Sequence, residues 1–225
     1  YVIVGNKDGI SAIKPKVVID CTGDADVAAW AGMPYESSEI RQPGSLHFTV
    51  GNIENSRTIE DLYALTQKCA KILEEGHSAG IIRFFGGPWL APNGQNEILF
   101  NVVRINFDST SAEETSSAEV RGREDAWAMF SLWKKQLSEF SNAYFAASAP
   151  TVGARESRII TGQYTLTGED IINSRSFTDT IGKGSWYIDR HSSSKIGFHK
   201  HIPVKAYDIP FRTLLPKNAE NMLVA

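Results

Sequence analysis

The clearest candidate binding site in the sequence is a short turn formed by Thr22, Gly23 and Asp24, between an apolar run at residues 17–21 and a short helical segment. A strand that leads into a glycine turn and then a helix presents backbone N–H groups at the carboxyl edge of a sheet. Phosphate-bearing ligands bind at that edge in open α/β sheets. The same pattern is also typical of a capped turn that binds nothing, so both interpretations stay open.

Two arginines form the second candidate site. Arg155 and Arg158 are three residues apart, and Tyr164 follows them. A planar guanidinium suits two-point binding of a carboxylate or a phosphate. We therefore take Arg155, Arg158 and Tyr164 as candidate substrate-binding residues, with a structural salt bridge from either arginine to Glu156 or another acid as the alternative.

The third candidate is His191, which follows an aromatic residue and a carboxylate within the segment 186–191. An imidazole can donate or accept a proton near neutral pH, so His191 is a candidate catalytic residue. Arg158 is the second candidate catalytic residue. A merely solvated loop histidine is the alternative for His191. His199 and His201 share a strand face, but no acidic or cysteine partner is spaced near them, so no metal site is predicted.

Composition excludes several classes of protein. The chain has 225 residues and a net charge of −3, without a cluster of basic residues, so no nucleic-acid partner is expected. No run of 18 apolar residues occurs, and no transmembrane segment is predicted. The two cysteines, Cys21 and Cys69, fit neither a disulfide framework nor a zinc site. Oligomeric state and cellular compartment are not predicted.

The elements that would position these residues indicate an α+β fold with a mixed, largely antiparallel sheet. The run at 17–21 suits a strand of a parallel sheet buried on both faces, followed by a helix at 25–31 capped by Gly23 or Asp24. A turn-rich loop is predicted at 86–94. Hydrophobic periodicity and turn residues predict the other elements: a hairpin at 1–5 and 10–14 with Gly9 in its turn, strands at 45–50, 81–85, 97–107, 157–161, 185–189 and 203–207, and helices at 58–75, 111–140 and 168–173. Gly76 is expected to end the first long helix, a separate turn stays open for the polar first half of the second, and Trp127 and Trp133 are expected in the core.

Both ends of the chain have the character of domain interior rather than of termini. Residues 1–4 already have the pattern of a strand, and residues 221–225 lie within an apolar run. Natural domains more often end in polar, poorly ordered residues. We therefore expect the chain to be an interior portion of a longer protein.

Four segments, taken in order, resemble the FAD-dependent oxidoreductase family related to the glutathione-reductase and fumarate-reductase flavoproteins. They are VVIDCTGDADVAAWAGMPYE at 17–36, VGARESRIITGQYTLT at 152–167, the segment 177–191, and YDIPFRTLLP at 207–216 with ENMLVA at 220–225. The resemblance touches both ends and the middle of the chain. Residues 36–150 match only loosely.

The resemblance implies an organisation and a cofactor. Residues 1–35 would form one edge of the FAD-binding domain, 36–206 the substrate or cap domain, and 207–225 the return to the FAD-binding domain. Thr22, Gly23 and Asp24 would lie near the FAD, whereas Arg155, Arg158 and His191 would lie on the substrate side. The glycine-rich motif GxGxxG that holds the flavin pyrophosphate in the family does not occur in this sequence.

The function implied by the resemblance is transfer of electrons or hydride between a small organic substrate and FAD. The chain would contribute the substrate-facing cap and part of the flavin site; alone it should be inactive and bind FAD weakly or not at all. Two alternatives stay open. One is a non-catalytic carbohydrate- or protein-binding module that uses Trp89 and Trp186, and the other is a cap fold that has lost redox function.

Overall fold

The computed structural model describes residues 1–54, 58–94, 96–196 and 199–225. With 28% helix and 33% strand, arranged in largely antiparallel sheets, it confirms the α+β class. The chain divides into two compact units. Unit 1 comprises Tyr1–Ser38, Arg158–Asp189 and His201–Ala225, and unit 2 comprises Glu39–Ser157 and Arg190–Lys200.

Unit 1 is built from short strand pairs. A hairpin joins β1 (Val2–Asn6) to β2 (Gly9–Ile13), and Gly9 takes a φ of 109° in the turn, as predicted. β3 (Val18–Asp20) leads to α1 (Asp26–Trp30), and the last strand, β14 (Met222–Val224), pairs with β3 in parallel. The prediction of a parallel strand at 17–21 is therefore confirmed. Burial on both faces is not, because the Ile19 side chain is 62% exposed.

The rest of unit 1 includes two antiparallel pairs, a one-turn helix and a 3₁₀ helix at Phe211–Leu214. β4 (Tyr35–Ser37) pairs with β9 (Arg158–Ile160), and β10 (Thr180–Gly184) pairs with β13 (Tyr207–Pro210). Helix α4 (Gly168–Ile172) lies between β9 and β10 in the sequence, close to its predicted position. The predicted strand at 203–207 is wrong, since β13 begins only at Tyr207.

Unit 2 is a four-stranded antiparallel sheet covered by two long helices. The strands are β5 (Gly44–Gly51), β6 (Phe85–Pro92), β7 (Glu97–Ile105) and β8 (Tyr144–Ser148), in the order β6-β7-β5-β8. Helices α2 (Ile59–Ser78) and α3 (Ala112–Gln136) pack against it, and a short 3₁₀ helix follows at Ser138–Phe140.

The core of unit 2 follows from strand alternation. Leu46, Phe48 and Val50 alternate along β5 and are fully buried. Phe48 stacks on Phe100 of β7 with ring centroids 5.4 Å apart, and Trp133 of α3 lies 5.0 Å from Phe100. Stacked aromatic rings of this size contribute both buried area and a directional term of about 1 kcal/mol per pair.

Both long helices were predicted, and the details differ at their ends. Thr58 caps α2 in a capping box with Asp61, as its position at the start of the periodic segment indicates. Gly76 does not end this helix. It is buried within α2, where an added Cβ would lie 2.8 Å from Leu132, so it permits close helix packing. The polar first half of the second segment is not a separate turn, because α3 is continuous from Ala112.

The predicted loop at 86–94 is wrong, since Phe85–Pro92 forms strand β6. Gly86, Gly87 and Pro88 fall where the register with β7 shifts between Phe85 and Trp89. A bulge needs extra residues, and proline is tolerated because β6 lies at the sheet edge. The expected strand at 81–85 begins only at its last residue. Of the expected strand at 185–189, only the last two residues form a strand, as the start of β11 (Ile188–His191), and β12 (His199–Ile202) follows it.

Membrane-spanning helices and clusters of metal ligands are both absent from the described residues. No helix among them is long and apolar enough to cross a membrane. Within the same part of the chain, no group of three or more histidine, cysteine, aspartate and glutamate side chains is arranged to hold a metal ion. The side chain of His199 lies outside what the structure describes.

Candidate functional site

The turn after β3 in unit 1 is organised by a buried carboxylate that sequence reasoning did not single out. Asp20, 1% exposed, accepts hydrogen bonds from the backbone N–H of Thr22 (3.0 Å), the Thr22 hydroxyl (2.7 Å) and the backbone N–H of Ala28 (2.8 Å). Burial acts to raise the pKa of Asp20, but these hydrogen bonds outweigh it, and the pKa lies below its ordinary value. The sequence did contain a signal for this role, because Asp20 is a single carboxylate within the apolar run at residues 17–21.

The backbone of the turn is left-handed at two positions. Gly23 has a φ of 87° and Ala25 a φ of 53°; the latter conformation is uncommon for a residue with a Cβ. Ala25 is the N-cap of α1 and makes no side-chain cap. The prediction that Gly23 or Asp24 caps the helix is therefore wrong. The Thr22 hydroxyl accepts from the Asp26 N–H instead (2.9 Å).

The surface of the turn is open to a ligand. Thr22 and Gly23 are exposed, and a Cβ built on Gly23 would meet nothing within 4 Å. Because β3 and β14 run in parallel, their carboxyl ends lie at the same edge of the sheet as the turn. Ligands of open α/β sheets bind at that edge.

The structure brings Arg158 to this turn. Its Nη1 donates to the Asp24 carbonyl oxygen (2.9 Å) and to Oδ1 of Asp26 (2.6 Å), and the guanidinium lies 5.5 Å from the centre of the Tyr35 ring. The hydrogen bond to Asp26 raises the pKa of Arg158 above its already high ordinary value. Of the second group of predicted site residues, Arg158 therefore lies at the first group in unit 1, and it forms the salt bridge held open as the alternative.

Tyr164 also belongs to unit 1, in an aromatic and charged cluster. Its hydroxyl donates to Oδ2 of Asp170 (2.7 Å), and its ring packs against Phe177 with centroids 5.1 Å apart. Arg175 and Arg212 lie over the same ring at 5.9 and 5.3 Å. The backbone N–H of Thr167 and the Tyr164 hydroxyl hold the pKa of Asp170 far below its usual range. The hydrogen bond to Asp170 raises the pKa of Tyr164.

Arg155 and His191 belong to unit 2. The backbone N–H of His191 donates to Oε1 of Gln42 (3.1 Å) at the end of β11. Arg155 is exposed, and within the described residues it makes no hydrogen bond or salt bridge. It lies two residues beyond Gly153, which is joined to Ser45 of β5 by two backbone hydrogen bonds of 3.0 and 2.9 Å.

One row of side chains crosses the sheet of unit 2 on the face away from its core. Trp89 pairs with Asn101, and Asn101 pairs with His47, across β6, β7 and β5. Residues directly opposite each other in an antiparallel sheet share a face. Trp89 is 57% exposed there, and the side chains of His47 and Asn101 are hydrogen-bonded to each other.

A buried arginine completes this polar row. Arg104, 6% exposed, donates from Nη1 to Oδ1 of Asn101 (2.7 Å) and to the Val103 carbonyl oxygen (3.2 Å). Its side chain crosses Gly86, where an added Cβ would come within 2.9 Å of Nε. Partial burial, then the charges of Arg104 and Arg155, lower the pKa of His47, which leaves this imidazole neutral at neutral pH.

Sequence reasoning missed His47, Asn101 and Arg104, although a signal was present. The strand at 45–50 was recognised by the alternation of Leu46, Phe48 and Val50, and that alternation already places His47 on the opposite face. The bulge between Leu46 and His47, which shifts the register with β7, brings Arg104 onto the same face as Asn101. That second step depends on strand pairing and was not available from residue types alone.

Comparison with known proteins gives one family. The model of the family described as FAD dependent oxidoreductase matches residues 1–225, the whole chain. Searches of curated proteins and of solved structures returned no match.

Proposed function

Because the chain belongs to the FAD-dependent oxidoreductase family, we propose that it supplies one edge of a flavin site and the substrate-contacting portion of such an enzyme. The observation that carries this proposal is the turn after β3. Its exposed backbone lies at the carboxyl edge of a parallel strand pair and is held by Asp20 and Arg158.

The residues of the turn fit a large, anionic cofactor such as FAD. Thr22 and Gly23 are exposed, and the space beside Gly23 is open, so a ligand can approach the backbone closely. Thr22, Gly23 and Asp24 would hold the FAD, which supplies the redox chemistry when bound.

A role within a longer protein is supported by exposed apolar side chains in unit 1. β3 and β14 form a two-stranded parallel sheet, yet parallel sheets are normally wider and covered on both faces. Five large aliphatic residues within 1–20 are exposed: Ile3, Ile10, Ile13, Val17 and Ile19. We infer that further strands of the nucleotide-binding sheet pack there. A relation to the glutathione-reductase and fumarate-reductase flavoproteins stays a prediction.

The roles of the individual residues follow from their partners. Arg158 already binds Asp24 and Asp26, so its proposed part is to position the cofactor turn. A direct catalytic or substrate-binding role for Arg158 stays a prediction, as does substrate binding by Tyr164, whose hydroxyl is bonded to Asp170. Arg155 is proposed to bind the substrate, and His191 to exchange a proton with it.

A pair of matched glycine variants of the longer protein tests the cofactor turn. Gly23 and Gly9 both have positive φ and open space around them, so alanine introduces similar strain at each. Gly23→Ala should lower flavin absorbance per protein, whereas Gly9→Ala should leave it unchanged. Equal flavin content in the two variants would contradict the assignment.

The 225-residue chain by itself gives a second test. We expect it to bind FAD weakly or not at all, because other strands complete the site. Purified chain with stoichiometric flavin would overturn the proposal of a shared site.

Two further experiments separate the alternatives. In the longer protein, Arg155→Gln should slow flavin reduction by substrate. If the longer protein binds FAD but its flavin is never reduced, the fold has lost redox function. Specific glycan binding that is lost in Trp89→Ala would instead favour the binding module.

A further inference from the structure

The face of the unit 2 sheet away from the core combines two cations with a neutral imidazole. Arg104 and Arg155 are the charged groups that act on His47, and both are positive. Asn101 bonds both His47 and Arg104, so these side chains are held in a fixed arrangement. We define this anion face as His47, Asn101, Arg104 and Arg155.

The anion face is built rather than accidental. Arg104 as a whole residue is 6% exposed, and its guanidinium is oriented by two hydrogen bonds from Nη1. The absence of a Cβ at Gly86 makes room for it on β6. An arginine fixed in this way loses little side-chain entropy when an anion binds, which favours tight, directional contacts.

An apolar surface lies directly beside the charged one. Trp89 occupies the same row as Asn101 and His47 and exposes more than half of its surface. An exposed indole next to paired cations suits a ligand with a carbon body and an acidic group better than it suits a bare inorganic anion.

We propose that the anion face binds the carboxylate of a small organic acid, with Arg104 and Arg155 as cationic contacts, His47 as a hydrogen-bonding partner and Trp89 beside the carbon body. This deepens the proposed function, because the acid would be the class of substrate on which the enzyme acts. Only the identification of the acid as a substrate rests on the proposed function. Binding itself requires no flavin.

The test is an NMR titration of the His47 imidazole in the 225-residue chain, with the resonance identified by its loss in His47→Gln. Malonate is the probe, and malonamide is its uncharged match. Malonate should shift the resonance saturably and raise the pKa of His47, because a bound carboxylate offsets the two cations. Malonamide should do neither.

Two variants link the effect to the anion face. Arg155→Gln removes an exposed cation that makes no hydrogen bond or salt bridge within the described part of the chain, so the fold should persist. It should weaken malonate binding by about tenfold, the cost of one charge-assisted contact. Lys135→Gln removes an exposed cation on α3, which covers the other face of the sheet, and should leave the affinity unchanged.

Three results would overturn the proposal. They are a His47 resonance that does not respond to malonate, equal affinity in wild type and Arg155→Gln, and tighter binding of inorganic phosphate than of malonate. The last would indicate a phosphate site. Failure here leaves the flavin content of the longer protein untouched, and a parent without flavin leaves malonate binding untouched, so the two proposals fail separately.

Discussion

Nη1 of Arg158 lies 2.6 Å from Oδ1 of Asp26, and this ion pair ties β9 to the first turn of α1 across 132 residues of sequence. The Arg158 side chain is 13% exposed and that of Asp26 33%. The same nitrogen also donates to the Asp24 carbonyl, so the pair holds the backbone of the proposed cofactor turn.

Asp26→Asn should lower the free energy of unfolding by about 1 kcal/mol, because it removes a partly exposed ion pair and a favourable charge at a helix N-terminus. Urea unfolding checks this value. Asp8→Asn, the same substitution in an exposed hairpin turn, should change stability by much less. If both variants unfold at the same urea concentration as wild type, Arg158 does not stabilise the turn through Asp26.

Asp20→Asn should cost about 2 kcal/mol, because an amide cannot accept from the donors on both carboxylate oxygens and leaves a buried donor unpaired. The pKa of Asp20 in the folded chain lies below its ordinary value of 3.8. Its contribution is therefore complete above that pH and is lost as the pH falls through the folded pKa. The urea midpoints of wild type and variant should differ at neutral pH and converge at acidic pH. A gap that stays constant with pH would contradict this assignment.

Asp208 should titrate with a pKa of about 2, chiefly because Lys183 bonds its carboxylate, with the Phe177 N–H and the Thr180 hydroxyl as further donors. Carboxyl carbon NMR measures this pKa directly. Lys183→Met should raise it toward the ordinary value, whereas Lys217→Met, at an exposed lysine, should not. Because the folded pKa is depressed, this stabilisation is lost as the pH falls from about 3.8 toward 2. An unchanged pKa in Lys183→Met would exclude the ion pair as its cause.

Trp133→Phe should destabilise unit 2 by about 2–3 kcal/mol, because it leaves a cavity and removes the indole hydrogen bond to the Cys69 carbonyl (3.2 Å). Trp127→Phe is the matched control on the same helix, since Trp127 is 58% exposed. It should cost less than about 1 kcal/mol. Thermal unfolding followed by circular dichroism compares the two, and equal losses would contradict the assignment of Trp133 to the core.

Local signals predicted much of the secondary structure. The hairpin turn at Gly9, the capping box at Thr58 and the apolar periodicity of α2 depend on neighbouring residues, and the structure confirms each. Strand β6 was mistaken for a loop because glycine and proline usually mark turns. Here they form a bulge at a sheet edge, and only pairing with β7 makes that segment a strand. Trp127 was expected in the core with Trp133, but its helix position faces solvent.

The sequence by itself determined the α+β class and the family, because hydrophobic periodicity and ordered motifs are carried by residues close together in the chain. The tertiary structure alone decided which side chains meet. Arg158 reaches Asp26 because β9 pairs with β4, and Arg104 reaches Asn101 because a bulge shifts the register of β7. Such contacts depend on strand pairing between distant segments, and residue types and spacing along the chain do not specify that pairing.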